Sequence, residues 1–530
     1  MAKIFIEEST LSAIGNSIRV KTGKTNMIPP LNMPAEIISI QKGDSGSSSS
    51  VLSNDATFYD YDGTVVASYS LEEVQALTSL PAGPSHDGLT FKGWNWSLEA
   101  IKSMYRAVNV GAIYTTNDGK TRIYITLGEG RTSPLLGCCP NGTVIVDWGD
   151  GTTPDTLTGT STSTIQYTPT HNYISPGNYV ISLTVNGTCG FLGGSKINNE
   201  CYLLKYSTTE DTRNRYYQNA ITKIEFGDNV TTIGNYAFHH CLSLTDIVIS
   251  DSVATIGQNA FYDCYSLTNI VIPDSVTTIG KSAFFRCYSL TNIIIPNDIP
   301  SIGFETFDNC YSLTNITIPN SVTTIGQSAF CYCYSLTNIT IPNSVTTIGQ
   351  DAFCDCYSLT NITIPNSVTT IGPYAFRNCY SLTNITIPNS VTTIGQDAFE
   401  SCYSFTNITI PNSVTTIGQS AFCYCYSLTN ITIPNSVTTI ESTAFFNCYS
   451  LASIVIPDSI TTIGQNAFYG CYGMAEYHLK PTTPPALSNT NAFTGIPDDC
   501  IIYVPQGSLE AYQAATNWAT YASHMQEETI

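Results

Sequence analysis

Apolar and polar residues alternate over short stretches in the carboxyl-terminal half of the chain, and the pattern returns every 23 residues. The alternation of β-branched and polar residues at positions 315–318 is typical of a short strand that buries one face. Pro319 ends this strand because proline supplies no ladder donor. In the unit from Cys310 to Tyr332, the apolar positions that recur in neighbouring units are Leu313, Ile316, Ile318, Val322, Ile325, Ala329 and Phe330.

The rest of each unit predicts a closed coil. Residues 322–325 form a second extended segment, Gly326 a sharp turn, and residues 328–330 a tight turn. No single unit buries its apolar side chains, so neighbouring units must stack. Eleven coils at an inter-strand spacing of about 4.8 Å form a rod on the order of 50 Å long. The fold class is mainly β, a multidomain chain in which an immunoglobulin-like β-sandwich precedes a β-solenoid of 23-residue coils.

One cysteine position marks every unit, and a tyrosine follows it in nearly all of them. The ladder cysteines are Cys241, Cys264, Cys287, Cys310, Cys333, Cys356, Cys379, Cys402, Cys425, Cys448 and Cys471. The pattern L-x-x-I-x-I-P-x-x-V-x-x-I-G-x-x-A-F-x-x-C resembles the BspA-like leucine-rich repeats of bacterial surface and parasite proteins, over roughly residues 221–475. This resemblance implies a β-solenoid used for adhesion, and some members are cell-surface binders of host proteins.

Other segments precede and follow the repeats. VIVDWGDG at 144–151 and YVISLTV at 179–185 resemble a PKD-type β-sandwich, placed at 119–188, which implies a spacer. A connector is expected at 189–220. Residues 51–118, with an aromatic cluster of Phe91, Trp94 and Trp96, predict a small α+β module, and residues 44–50 a Gly/Ser linker. Residues 476–530 are expected to cap the last coil, with a helix at 508–518.

The first 43 residues carry apolar positions at helical spacing. Residues 9–40 resemble the start of structural proteins of phages and prophages of gut bacteria. That resemblance implies that residues 1–43 attach the protein to other virion proteins. A segment this short has no core of its own, so self-association into a homo-oligomer is also expected.

Charge and hydropathy narrow the possible partners. The chain has 40 acidic and 20 basic residues, a formal net charge of −20, and after Arg286 its basic residues are Arg377 and Lys480. Such a surface repels phosphate backbones, so nucleic acid is not expected as a partner. No apolar run reaches about 18 residues, so no membrane insertion is expected. The amino terminus lacks the pattern of a secretory signal. We expect synthesis in a host cytoplasm and display on a virion, or alternatively on a bacterial cell surface.

Several candidate catalytic or metal-binding motifs are better explained structurally. The cysteine ladder spreads its thiols along a line, whereas zinc needs converging ligands, so buried, reduced thiols are expected. Cys331, Cys354 and Cys423 are expected to be surface or half-buried thiols, although the first two lie one coil apart and could approach each other. His239 and His240 are expected at the surface. Gly23-Lys24-Thr25 lacks the glycine that a phosphate loop needs five positions earlier.

The acidic residues Asp147, Asp150 and Asp155 suggest calcium, but they serve turns equally well. No cofactor or metal site is therefore expected. Paired carboxylates or a nucleophile with a histidine base cannot be assembled from these motifs, so the protein is not expected to be an enzyme.

Two ladders of side chains remain as candidate ligand-binding surfaces, a tyrosine ladder and a polar strip of Asn and Thr. Their candidate residues are Tyr334, Tyr357, Tyr380, Tyr403, Asn315, Thr317, Asn338 and Asn361. Stacking within the solenoid explains the tyrosines equally well. The leading hypothesis is a phage fibre or receptor-binding protein that recognises a host surface glycan or protein through the solenoid. A bacterial BspA-like adhesin is the alternative, and a glycan-degrading tail enzyme is a third.

Overall fold

A computed structural model describes residues 56–60, 64–87, 89–94, 98–102, 108–116, 118–192, 203–205 and 217–528. The expected attachment segment 1–43, with Gly23-Lys24-Thr25, and the linker 44–50 lie outside the described residues, as does Trp96. Within the described part of the chain, no helix has the length and apolar character needed to cross a membrane.

The amino-terminal module is a four-stranded sheet with two short helices. Its strands run in the order β2-β1-β4-β3, and its elements are β1 (Ala56–Tyr59), β2 (Val65–Tyr69), α1 (Leu71–Ala76), β3 (Leu89–Trp94), α2 (Leu98–Lys102) and β4 (Val108–Thr116). Ser70 caps α1 in a capping box with Glu73. In the core, the Trp94 ring meets those of Phe58 and Phe91 edge to face, at 4.9 Å and 5.4 Å.

The next unit consists of long antiparallel strands. They are β5 (Thr121–Leu127), β6 (Leu135–Asp147), β7 (Asp155–Thr160), β8 (Gln166–Tyr167) and β9 (Gly177–Phe191). β9 pairs with β5 and β6, and β6 also pairs with β7 and β8. Trp148 and Tyr173 are buried between the strands, and the Tyr173 hydroxyl donates to the Trp148 carbonyl at 3.0 Å. This buried tyrosine orders the return from β6 to β9.

The strand unit is joined to the solenoid by backbone pairing. β5 pairs antiparallel with β11 (Ile221–Glu225), and the end of β9 pairs parallel with β12 (Val230–Ile233). β9 runs to Phe191, so residues 189–191 of the expected connector are strand, and β10 (Leu204–Lys205) pairs with β6. The strand unit thereby covers the edge that the first coil would otherwise expose. A spacer role alone does not explain this arrangement.

Each coil contributes one short strand to each of two parallel stacks, which we call the first and the second sheet, and paired neighbours lie in register. The pairing is interrupted before Ser453 in the first sheet and before Ser301 and Thr439 in the second. Asn338, for example, lies opposite Asn361, and Ile339 opposite Ile362. After β11, the strands of the first sheet are Asp246–Val248, Asn269–Val271, Asn292–Ile294, Asn315–Thr317, Asn338–Thr340, Asn361–Thr363, Asn384–Thr386, Asn407–Thr409, Asn430–Thr432 and Ser453–Ile456. After β12, those of the second sheet are Thr255–Ile256, Thr278–Ile279, Ser301–Ile302, Thr324–Ile325, Thr347–Ile348, Thr370–Ile371, Thr393–Ile394, Thr416–Ile417, Thr439–Ile440, Thr462–Ile463 and Ala486–Leu487. The solenoid of 23-residue coils is thus confirmed.

The turn that closes each coil has an unusual backbone. Two residues four positions apart have positive φ, as in Ser328 (53°) and Tyr332 (57°), and their equivalents recur from Tyr236 to Asn466. The N–H groups of Ser328, Phe330 and Tyr332 donate to carbonyls of the next coil, while those of the intervening residues donate within the turn. The left-handed residues thus allow alternate donors to bond the next coil, which stacks the turns as well as the strands.

The carboxyl-terminal segment continues the first sheet before it closes the solenoid. Its strands Glu476–Leu479, Ile501–Val504 and Met525–Glu527 are parallel to the preceding ones. Helix α3 (Leu509–Ala514) ends four residues earlier than the expected helix at 508–518, and a 3₁₀ helix (Trp518–His524) follows. Tyr512 and Trp518 are fully buried, and the Trp518 indole donates to the Pro485 carbonyl at 2.7 Å. This aromatic plug covers the last coil.

Candidate ligand-binding surfaces of the solenoid

The ladder cysteines form part of the core. Each is fully buried and free, as expected for reduced thiols. From Cys264 onward, each Sγ donates to the carbonyl oxygen of the phenylalanine 26 residues earlier, at 3.2 to 3.3 Å. Burial raises the pKa of the Cys471 thiol to about 12. These thiols are therefore neutral and inaccessible in the folded protein.

The remaining repeat cysteines and the histidine pair lie elsewhere than expected. Cys331, Cys354 and Cys423 are each 5% exposed, so the expectation of surface or half-buried thiols is wrong. The expectation of a surface pair is wrong for His239, which is fully buried and stacks on Tyr262 at 4.7 Å. His239 and the three cysteines occupy the same position of their coils, and the side chain at that position is buried in all four.

The three aspartates of the strand unit support its turns. Asp147 accepts from the backbone N–H of Gly149, and Asp150 accepts from Thr152 and contacts His171 at 2.8 Å. Asp155 accepts from the Trp148 indole at 2.9 Å. Each carboxylate therefore has a structural partner.

The tyrosine ladder is a continuous stack of half-buried rings. Ring centroids lie 4.6 Å apart between Tyr334 and Tyr357 and between Tyr357 and Tyr380, and 4.7 Å apart between Tyr380 and Tyr403. Burial, helped by the neighbouring phenols, raises the pKa of Tyr311 to about 12. Because their faces contact one another, these rings offer only their edges to a ligand.

The polar strip lies on the outer face of the first sheet. Thr317 and its equivalents Thr340, Thr363, Thr386, Thr409 and Thr432 are exposed, as are Asn361, Asn384, Asn407 and Asn430. We call these Asn and Thr positions the Asn/Thr strip. Asn338 is half-buried, whereas Asn315 is buried at 7% exposed, where helix α2 contacts its strand. The sequence gives no sign of that contact.

Hydrogen bonds within and between coils order the strip. The Asn430 amide donates to Oδ1 of Asn407 in the preceding coil at 3.3 Å, and the Asn361 amide donates to the hydroxyl of Thr360 at 3.3 Å. Asn315, Thr317 and Asn338 line one shallow groove of about 640 Å³, bordered by Pro342 and Pro365; Asn361 lies outside its lining. The strip therefore presents preorganised, uncharged donors and acceptors along the solenoid.

The structure draws attention to a third group of positions, which the sequence analysis did not identify as a candidate. The five coils that begin at Cys310 and end at Tyr424 are identical except at one core position, where Phe405 replaces leucine, and at four turn positions. In the first of these coils the four are Gln327, Ser328, Cys331 and Tyr332. We call these positions and their equivalents the variable edge. Comparing the repeats with one another would have revealed it.

Comparisons with known proteins agree with this architecture. The family described as BspA type Leucine rich repeat region matches residues 212–334, 300–425 and 346–475, in six copies. A solved leucine-rich repeat protein from Bacteroides ovatus is 23% identical, with a TM-score of 0.54, and the match covers 73% of this chain and 98% of that one. No curated protein matches the chain significantly in sequence.

Two further solved structures are similar in sequence. A leucine rich cell surface protein from Faecalibacterium prausnitzii is 27% identical over 66% of this chain and 97% of that one, with a TM-score of 0.39. A leucine-rich repeat protein from T. pallidum is 33% identical over 30% of this chain and 77% of that one, with a TM-score of 0.29. Through its repeat region, the chain belongs to the BspA-type leucine-rich-repeat family.

Proposed function

We propose that the chain is a non-enzymatic binding protein of a bacterial cell surface, which attaches to a repetitive ligand through the Asn/Thr strip. The observation that carries the proposal is the recurrence of exposed Asn and Thr at the same position of successive coils, in exact register. A ligand that repeats along its length can make the same contact with several coils. Individually weak contacts then add through multivalency.

The chemistry of the strip favours a neutral, hydrogen-bonding ligand, such as a surface glycan or an extended protein segment. Amide and hydroxyl groups donate and accept without requiring a charged partner. The first-sheet strands from Asn269 to Thr432 contain no charged residue. Binding through this face is therefore expected to depend weakly on salt, because few ion pairs are screened.

Surface variants test the proposal against immobilised mucin and intact gut-bacterial cells as probes. Replacing Thr363, Thr386 and Thr409 by Glu places three charges on the strip and should reduce binding at least about tenfold. The matched control places the same substitutions in the same three coils at Thr369, Thr392 and Thr415, exposed residues that directly precede the second-sheet strands. Equal effects of the two variants, or binding of neither probe by the unmodified chain, would refute the proposal.

The location of the protein is part of the same proposal. Localisation to the cell envelope fraction is expected for a surface adhesin. The virion role predicted from residues 9–40 depends on a segment outside the described residues, and it stays a prediction, as do the expected virion partners and homo-oligomer. Detection of the chain in purified phage particles, with none in the envelope, would favour the virion fibre instead.

A further inference from the structure

Three metal-ligating side chains converge inside the variable edge. Cys331 and Cys354 occupy the same position of successive coils, and Asp355 follows the second cysteine. One ligand atom from each of the three lies within 4.8 Å of the other two. All three side chains are more than nine-tenths buried, with 5%, 5% and 7% of the residue surfaces exposed. The cluster is therefore an interior feature rather than a group of surface acids.

These thiols differ from those of the cysteine ladder. A ladder thiol such as Cys356 donates to a backbone carbonyl, that of Phe330, at 3.2 Å. The Sγ of Cys354 instead lies 3.1 Å from Oδ2 of Asp355. The other oxygen of that carboxylate, Oδ1, accepts from the Asn378 amide at 2.8 Å. The hydrogen bond from Asn378 thus orients the Asp355 carboxylate with its other oxygen toward the sulfur. Carboxylates that bind metals are commonly oriented by such hydrogen bonds from residues that do not touch the metal.

We propose that Cys331, Cys354 and Asp355 bind a Zn²⁺ ion. Zinc accepts thiolate and carboxylate ligands together and commonly keeps a fourth position for water when the protein supplies three. Binding displaces the two thiol protons to solvent and leaves a site with a formal charge of −1. Arg377 stands at the equivalent position of the next coil, where its Nε pairs with Oε2 of Glu400 at 2.8 Å. The ion would link two coils.

The chain offers a matched control for this site. Cys423 occupies the same position of its coil and is equally buried at 5% exposed. Its neighbours at that position are Glu400 one coil earlier and Phe446 one coil later. A Cys423→Ser variant therefore loses one variable-edge thiol without touching the proposed ligands.

The test measures metal bound by the reduced, full-length chain after equilibration with Zn²⁺ or Cd²⁺ alone and dialysis. We expect one ion per chain, with cadmium–thiolate charge-transfer absorption in the ultraviolet. Cys331→Ser and Cys354→Ser should lower the affinity at least about tenfold, and Asp355→Asn about tenfold or more, whereas Cys423→Ser should bind normally. Circular dichroism identifies any variant that fails to fold, and Cys354→Ala then replaces it. Absence of stoichiometric metal in the unmodified chain, or unchanged binding by both serine variants, would overturn the proposal.

Discussion

The Sγ of Cys356 donates a hydrogen bond to the carbonyl oxygen of Phe330, 3.2 Å away and 26 residues earlier. The same bond, between residues 26 apart, recurs along the ladder, so a small side chain with a weak donor is needed at this position. Cys356→Ala should lower the free energy of unfolding by about 1–2 kcal/mol, through the lost bond and the cavity. Denaturant unfolding measures the change, and Thr369→Ala, at an exposed site, should be nearly neutral. No loss in Cys356→Ala would contradict this role of the thiol.

Buried thiols and phenols make the fold sensitive to alkaline pH. Burial raises the pKa of Cys500 from 9.0 to about 11 and that of Tyr311 from 10.0 to about 12. These groups ionise at a lower pH in the unfolded chain than in the folded one. Their neutral forms therefore stabilise the fold fully below about pH 9, and this contribution is lost as the pH rises through the folded-state pKa values. The melting temperature should therefore fall steadily between about pH 9 and pH 12. A melting temperature that is constant over this window would be inconsistent with buried, neutral groups.

The tyrosine ladder is expected to stabilise the solenoid more than it binds ligand. Replacing Tyr334, Tyr357 and Tyr380 by Ala removes a run of stacked contacts, and each aromatic pair contributes about 0.5–1.5 kcal/mol beyond its burial. The free energy of unfolding should fall by at least about 2 kcal/mol. Tyr472→Ala, at the 59% exposed end of the ladder, should cost much less. Lost ligand binding without lost stability would instead make the rings the binding surface.

The left-handed turn residues offer a route to higher stability. Thr443 has a φ of 56°, a conformation that is unfavourable for a β-branched residue, whereas Asn259 and Asn466 occupy equivalent positions. Thr443→Asn should raise the free energy of unfolding by about 0.5–1 kcal/mol. Thr439→Asn, in an extended strand of the same coil, should lower it. Denaturant unfolding measures both changes. A lower free energy of unfolding for Thr443→Asn than for Thr439→Asn would show that turn strain does not limit stability.

The sequence was sufficient to predict the solenoid because one set of apolar positions recurs with a fixed spacing. The strand 315–318 and the buried ladder cysteines follow from that spacing and from the need to bury one face. The spacing of apolar residues does not predict which strands pair when they lie far apart in the sequence. Nothing in the local pattern of residues 189–191 indicates that they pair with Val230–Ile233, since that contact depends on the path of the whole strand unit.

The candidate site was predicted in part. The Asn/Thr strip is exposed where alternation placed it, except at Asn315, which is buried, and Asn338, which is half-buried. The burial of Cys331 and His239 was not predicted, because left-handed residues on both sides of each position set the backbone path of the turn. Residues after a turn of unknown geometry have no reliable inward or outward assignment from spacing alone.

The central claim, that the repeated strip binds a repetitive ligand, is tested most directly by shortening the solenoid. Deleting residues 333–401 removes three whole coils and joins Tyr332 to Cys402 in register, so the remaining coils can stack as before. With immobilised mucin or intact gut-bacterial cells as probes, we predict at least about a tenfold loss of affinity, and a smaller loss when residues 356–378 alone are deleted. Unchanged affinity in both shortened chains, with circular dichroism showing intact β structure, would contradict the account and place binding outside these coils.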